Sequence, residues 1–139
     1  MNSLEHSPRS PAAMSLERLA PVLIVEAVEP CIAFWADHLG CTIENQVPGP
    51  DGRLVFASVK KDGVEIMYQT RASVLAETPD ADLRGHSTCL FITVTNLDEV
   101  ERAMEGAPVV KARHKTFYGS EEFYVKEPGG NSVGFAQFR

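Results

Sequence analysis

A chain of 139 residues, 44% of them apolar, suits one compact unit or two half-size modules sharing a core. No stretch approaches the roughly 18 uncharged apolar residues of a membrane span, and the opening MNSLEHSPRSPAAMSLERLAP lacks the continuous apolar run of a secretory signal. A net charge of −6 argues against a nucleic-acid partner, and three cysteines without C-x-x-C spacing fit free thiols in a reducing cytoplasm.

The first 15 residues hold four Ser and two Pro, so residues 1–16 read as an arm and 17–139 as the folded domain. APVLIVEAVEPCIAFWADHLG, 20–40, reads as a strand through Val22–Val25 running into a helix. Val28, Ile32, Trp35 and Leu39 fall on one face of a 3.6-residue period, Pro30 sits near the helix start and Gly40 stops it. Strands follow at about 41–47 and 53–60, then GVEIMYQ, 63–69, entered by the Asp62-Gly63 turn. A polar linker with one Pro fills 70–86. CLFITVTNLDEVERAMEG, 89–106, repeats the strand–helix theme: Asn96 and Glu99 have capping-box spacing, and Leu97, Val100 and Met104 form the apolar stripe. Strands at about 107–113 and 121–126 lead to a Pro-Gly-Gly-Asn turn and the closing strand SVGFAQF, 132–138.

The two halves are copies of one plan. Val25 to Val64 and Val94 to Val133 both span 39 residues, and an offset of 69 carries Val25 to Val94, Asp62 to Asn131 and Ala20 to Cys89. Equal spacing of strand, helix and closing hairpin is an internal repeat. Each module reads βαβββ, the first over about 20–69 and the second over about 87–139. The fold class is therefore α+β, with two βαβββ modules forming a curved, cup-shaped mixed sheet backed by helices on its outside. The Pro-Gly-Gly-Asn turn sets the register that points Val133 and Phe135 at the core.

Alternation along the strands divides the faces. Leu23, Val25, Val64, Ile66, Leu90, Ile92, Val94, Val133 and Phe135 form an apolar parity that belongs against the helices. The other parity holds Val22, Glu65, Met67, Cys89, Phe91, Gly134 and Phe138, a mixture of apolar walls, small residues and one carboxylate that suits a small-molecule pocket. Glu65 is the charged member. A carboxylate in a partly dry cup pairs with a cation, coordinates a metal or acts as a base, and a solvated or Arg-paired strand residue is its plainer role. Phe56, Tyr118 and Tyr124 offer rings for stacking. Lys111 and Arg113 share one parity of an outer strand, with Lys115 beyond them as a charged rim.

In order and spacing, VLIVEAVEPCIAFWADHLG, GVEIMYQ and EEFYVKEPGGNSVGF resemble the vicinal oxygen chelate superfamily, which includes glyoxalase I, extradiol dioxygenases, fosfomycin-resistance enzymes and bleomycin-resistance proteins. The resemblance covers residues 20–139. It implies four metal-ligand positions, which here hold Ala20, Glu65, Cys89 and Gly134, and only Glu65 is of the type the metal enzymes use. That points to the metal-free, bleomycin-resistance-like branch, whose members are dimers holding a ligand between subunits. The expectation is a cytoplasmic homodimer with no metal, no nucleic-acid partner and no membrane partner. It binds a small drug or metabolite through Glu65, Met67, Cys89, Phe91, Phe138 and Val22. The alternative is a lyase, isomerase or dioxygenase with Glu65 as base, or with a non-standard divalent metal at Glu65, Cys89 and His86. An interaction domain without a ligand is the third reading.

Overall fold

The computed structural model describes residues 14–85 and 87–139, so most of the expected arm, and His86, lie outside the described residues. In the first module β1 (Val22–Val25) leads into α1 (Glu29–Leu39), followed by β2 (Thr42–Pro48), β3 (Leu54–Lys61) and β4 (Val64–Thr70). A short helix, α2 (Arg71–Glu77), opens the linker. The second module runs β5 (Cys89–Thr93), α3 (Leu97–Ala103), β6 (Val109–Lys115), β7 (Ser120–Lys126) and β8 (Ser132–Phe138). Two open four-stranded sheets result, ordered β1-β4-β3-β2 and β5-β8-β7-β6. In each, the first strand pairs parallel with the last and the other pairings are antiparallel. Among the described residues no helix is long and apolar enough to cross a membrane.

Local signals account for the helix ends. Gly40 takes φ 71°, and its N–H donates to the Ala36 carbonyl, closing α1 in the left-handed conformation glycine tolerates. Asn96 caps α3 by accepting from the Glu99 N–H at 3.1 Å.

The core lies between the helix-covered faces of the two sheets. Leu23, Val25, Ile66, Val133 and Phe135 are buried there, with Val28 just before α1, Ile32 and Trp35 of α1 and Leu97 at the start of α3. Fully burying a large apolar side chain contributes about 1.5–3 kcal/mol, so this shared layer carries most of the packing energy. The helices touch each other, and the His38 ring sits 2.7 Å from the Ala103 carbonyl oxygen.

A polar clamp crosses the same layer. Trp35 Nε1 donates to Tyr68 Oη at 2.9 Å, and Tyr68 Oη donates to Glu127 Oε2 at 2.5 Å. Glu127 Oε1 accepts from the backbone and side-chain nitrogens of Asn131, and Asn131 Oδ1 accepts from the Thr88 N–H. Burial, and then the neighbouring Glu127 carboxylate, push the Tyr68 hydroxyl far up, so it stays a proton donor. Burial likewise pushes the nearby Cys31 thiol up to about 12. The Pro-Gly-Gly-Asn turn is thus more than a register device. A Cβ at Gly129 would lie 2.7 Å from Val25 and about 3.0 Å from the Glu127 carboxylate, so glycine is what lets this turn of the second module lie against the first.

Candidate functional site

Residues from the helix-covered faces of both sheets share one core, so the other face of each sheet lies outside it. Each open face carries part of the expected pocket. On the first module, Val22 is opposite Met67 across the β1–β4 ladder, and Glu65 lies one strand-repeat from Met67 on the same face. Glu65 accepts from Arg18 Nη1 at 2.6 Å, and its side chain is only 13% exposed. The segment before β1 therefore lays its own cation on this carboxylate. Glu17, Arg18, Ala20 and Met67 border a shallow recess of about 450 Å³.

The second module's open face is more aromatic. Phe91 and Phe138 are half exposed with ring centroids 6.5 Å apart, Tyr118 lies 6.3 Å from Phe138, and Phe117 lies 5.1 Å from Tyr118. Beside this run Ser120, Glu122 and Tyr124 alternate onto the open face of β7, while Phe123 and Val125 enter the core. Glu122 and Tyr124 stand opposite Ala136 and Gly134 of β8, and those small residues leave the space they occupy.

Glu122 is a carboxylate only 1% exposed and ringed by hydroxyl donors. It accepts from Tyr118 Oη at 2.5 Å, Ser120 Oγ at 2.7 Å and Tyr124 Oη at 3.1 Å, with His114 Nε2 at 3.9 Å. Desolvation pushes the carboxyl up, but the three hydroxyl donors and the nearby imidazole outweigh it and hold it below the usual carboxylate range. Burial and the hydrogen bond to Glu122 push Tyr124 up to about 12. Tyr118 is raised chiefly by its own hydrogen bond to the same carboxylate. An ionised carboxylate beneath neutral phenols follows. Cys89, Lys111, His114, Tyr118, Glu122 and Tyr124 border a recess of about 560 Å³.

The sequence pattern of the Glyoxalase/Bleomycin resistance protein/Dioxygenase superfamily matches residues 16–135. The chain belongs to that superfamily. It is 29% identical over 125 residues to protein Mb0911c of Mycobacterium bovis, covering 86% of this chain and 82% of that one. Among solved structures, TioX from Micromonospora sp. ML1 superposes with a TM-score of 0.72 at 15% identity, over 88% of this chain and 99% of TioX. A lactoylglutathione lyase from Agrobacterium tumefaciens gives 0.66 at 19% identity, over 94% and 95% of the two chains. At these identities the superpositions establish the fold. Some members of the superfamily use a divalent metal, so the four positions implied for it decide whether one fits here. Ala20 and Gly134 have no side-chain donor, and Glu65 is engaged by Arg18. A Cβ at Gly134 would lie 2.2 Å from the Tyr124 ring, which fills the space a ligating side chain would need. Among the described residues no group of three or more His, Cys, Asp or Glu side chains is disposed to hold a metal. This donor set does not fit a divalent ion, and His86 of the alternative set lies outside the described residues.

The structure thus splits the six expected contact residues. Val22, Glu65 and Met67 share one face, and Cys89, Phe91 and Phe138 share the other. Glu122 and Ser120 escaped the sequence reading, as did the place of His114 on this face, although alternation along 120–124 points to the first two. A bulge in β6 hid the third. Lys111 pairs with Tyr124 and His114 with Glu122, so three steps on β6 match two on β7. The bulge also separates Lys111 from Arg113. Lys111 borders the open-face recess, while Arg113 turns to α3 and pairs with Asp98 and Glu101.

Proposed function

We propose that this chain is a cytoplasmic small-molecule-binding protein that works without a metal. Its ligand is held between the first-module face of one copy and the second-module face of another. The observation that carries the reading is the half-exposed aromatic run of Phe91, Phe138 and Tyr118 beside a recess of about 560 Å³. An exposed aromatic surface of that kind next to a concavity suits a flat organic ligand. A homodimer is part of the proposal because the open faces of one chain both lie outside its shared core. A hollow walled by Val22, Glu65 and Met67 on one side and Cys89, Phe91 and Phe138 on the other needs two copies. The enzyme reading has less support, since Glu65, its candidate base, is already engaged by Arg18 at 2.6 Å.

The test combines sedimentation, metal analysis and a thermal-shift screen of flat organic compounds on the full chain. The expected result is a dimer with a compound that raises Tm in proportion to its free concentration. About one tightly held divalent ion per chain after purification would overturn the metal-free reading, and a screen in which nothing stabilises the chain would overturn the binding reading.

A further inference from the structure

The hydrogen-bond polarity of the second-module recess specifies its ligand more narrowly, on the assumption that this face binds a small molecule at all. His114 Nδ1 lies 2.8 Å from the Ala112 carbonyl oxygen. A carbonyl only accepts, so Nδ1 carries the hydrogen and Nε2 of the neutral ring presents a lone pair. Tyr118 and Tyr124 both direct their hydroxyl protons at Glu122, which leaves their oxygens facing the recess as acceptors. Three acceptors therefore share one floor, and the buried Glu122 carboxylate behind them makes that floor electronegative.

The rim has the opposite character. Lys111 stands across the ladder from Tyr124, is exposed, and makes no ion pair with any described residue. The half-exposed Tyr118 ring supplies a flat wall that continues to Phe138. We propose that the recess takes a flat aromatic acid with a hydrogen-bond donor at the end remote from its carboxylate. The hydroxyl group donates its one hydrogen, or the amino group its two, to acceptors among Tyr118 Oη, Tyr124 Oη and His114 Nε2, the ring lies against Tyr118, and the carboxylate pairs with Lys111. A ligand with an acceptor in place of the donor would set lone pair against lone pair and leave the floor unsatisfied.

Calorimetric titration of the full chain with three probes at pH 8 tests this. 4-Aminobenzoate has both groups, 4-methoxybenzoate replaces the donor by an acceptor, and 4-methylaniline lacks the acid. 4-Aminobenzoate should bind about tenfold or more tighter than either of the others, the scale of one well-placed polar contact. Lys111→Ala, a change at an exposed position, should lower 4-aminobenzoate affinity to about that of 4-methylaniline while leaving 4-methylaniline unaffected. Tyr124→Phe should shrink the preference for the amino over the methoxy compound. Equal binding of the amino and methoxy compounds, or no effect of Lys111→Ala, would overturn the proposal. If none of the three binds while another compound stabilises the chain, the ligand class falls and the binding function stands. If nothing stabilises the chain, both fall.

Discussion

The two open faces share one strand order and treat their acidic groups in opposite ways. On the first module Glu65 is met by an exposed cation from the chain's own leading segment, beside a recess of about 450 Å³. On the second, Glu122 is sealed beneath hydroxyl groups, and the aromatic rings around it stay half exposed. The first face is satisfied from within the chain, whereas the second has met its internal polar needs and leaves acceptors and rings unengaged. Two repeats of one strand plan thus differ: one face pairs its acid with the chain's own arginine, and the other leaves aromatic rings half exposed.

Three substitutions sharpen that contrast. The largest effect should come from Gly134→Ala. The added methyl would meet the Tyr124 ring at 2.2 Å, and that ring is tethered to Glu122. A loss of about 3 kcal/mol is expected in urea unfolding, the upper end for overpacking. An unchanged midpoint would mean that the ring moves aside freely and that the hydroxyl cluster is loose.

Glu122→Gln should cost about 2 kcal/mol at neutral pH, because three hydroxyl groups lose an ionised acceptor. The loss should depend on pH in a defined direction. The Glu122 carboxyl is held below its unfolded range, so its stabilisation is complete above the unfolded-state value of about 4.3 and disappears as pH falls through the lower folded-state value. Wild type and variant should therefore differ at pH 7 and converge in acid. A gap that stays constant with pH would show that Glu122 stabilises by packing alone. The smallest effect belongs to Glu65→Gln, expected below about 1 kcal/mol, since Arg18 is 59% exposed and surface ion pairs contribute little. A loss matching that of Glu122→Gln would erase the difference between the faces.

The repeat, the strand–helix order and the helix caps were legible in the sequence because each rests on local spacing: 39 residues from Val25 to Val64, or three from Asn96 to Glu99. Strand parity also located the core correctly at Leu23, Val25, Ile66, Val133 and Phe135. What escaped were consequences of long-range placement. The bulge between Lys111 and His114 reverses the faces of the residues beyond it, and no residue there announces it. The pairing of Arg18 with Glu65 spans 47 positions, and that of Tyr68 with Glu127 spans 59. Glu127 reads as an ordinary turn residue until the opposite module supplies its partner.

That acid also bears on what the halves are apart. With its carboxylate bonded to Tyr68 from one repeat and Asn131 from the other, it works as a keystone rather than a seam. Severed in the linker, one fragment would be left with a buried phenol facing water and the other with a stranded anion, each with an oily back laid bare. Through one acid and one shared core, each repeat supplies part of the other's interior.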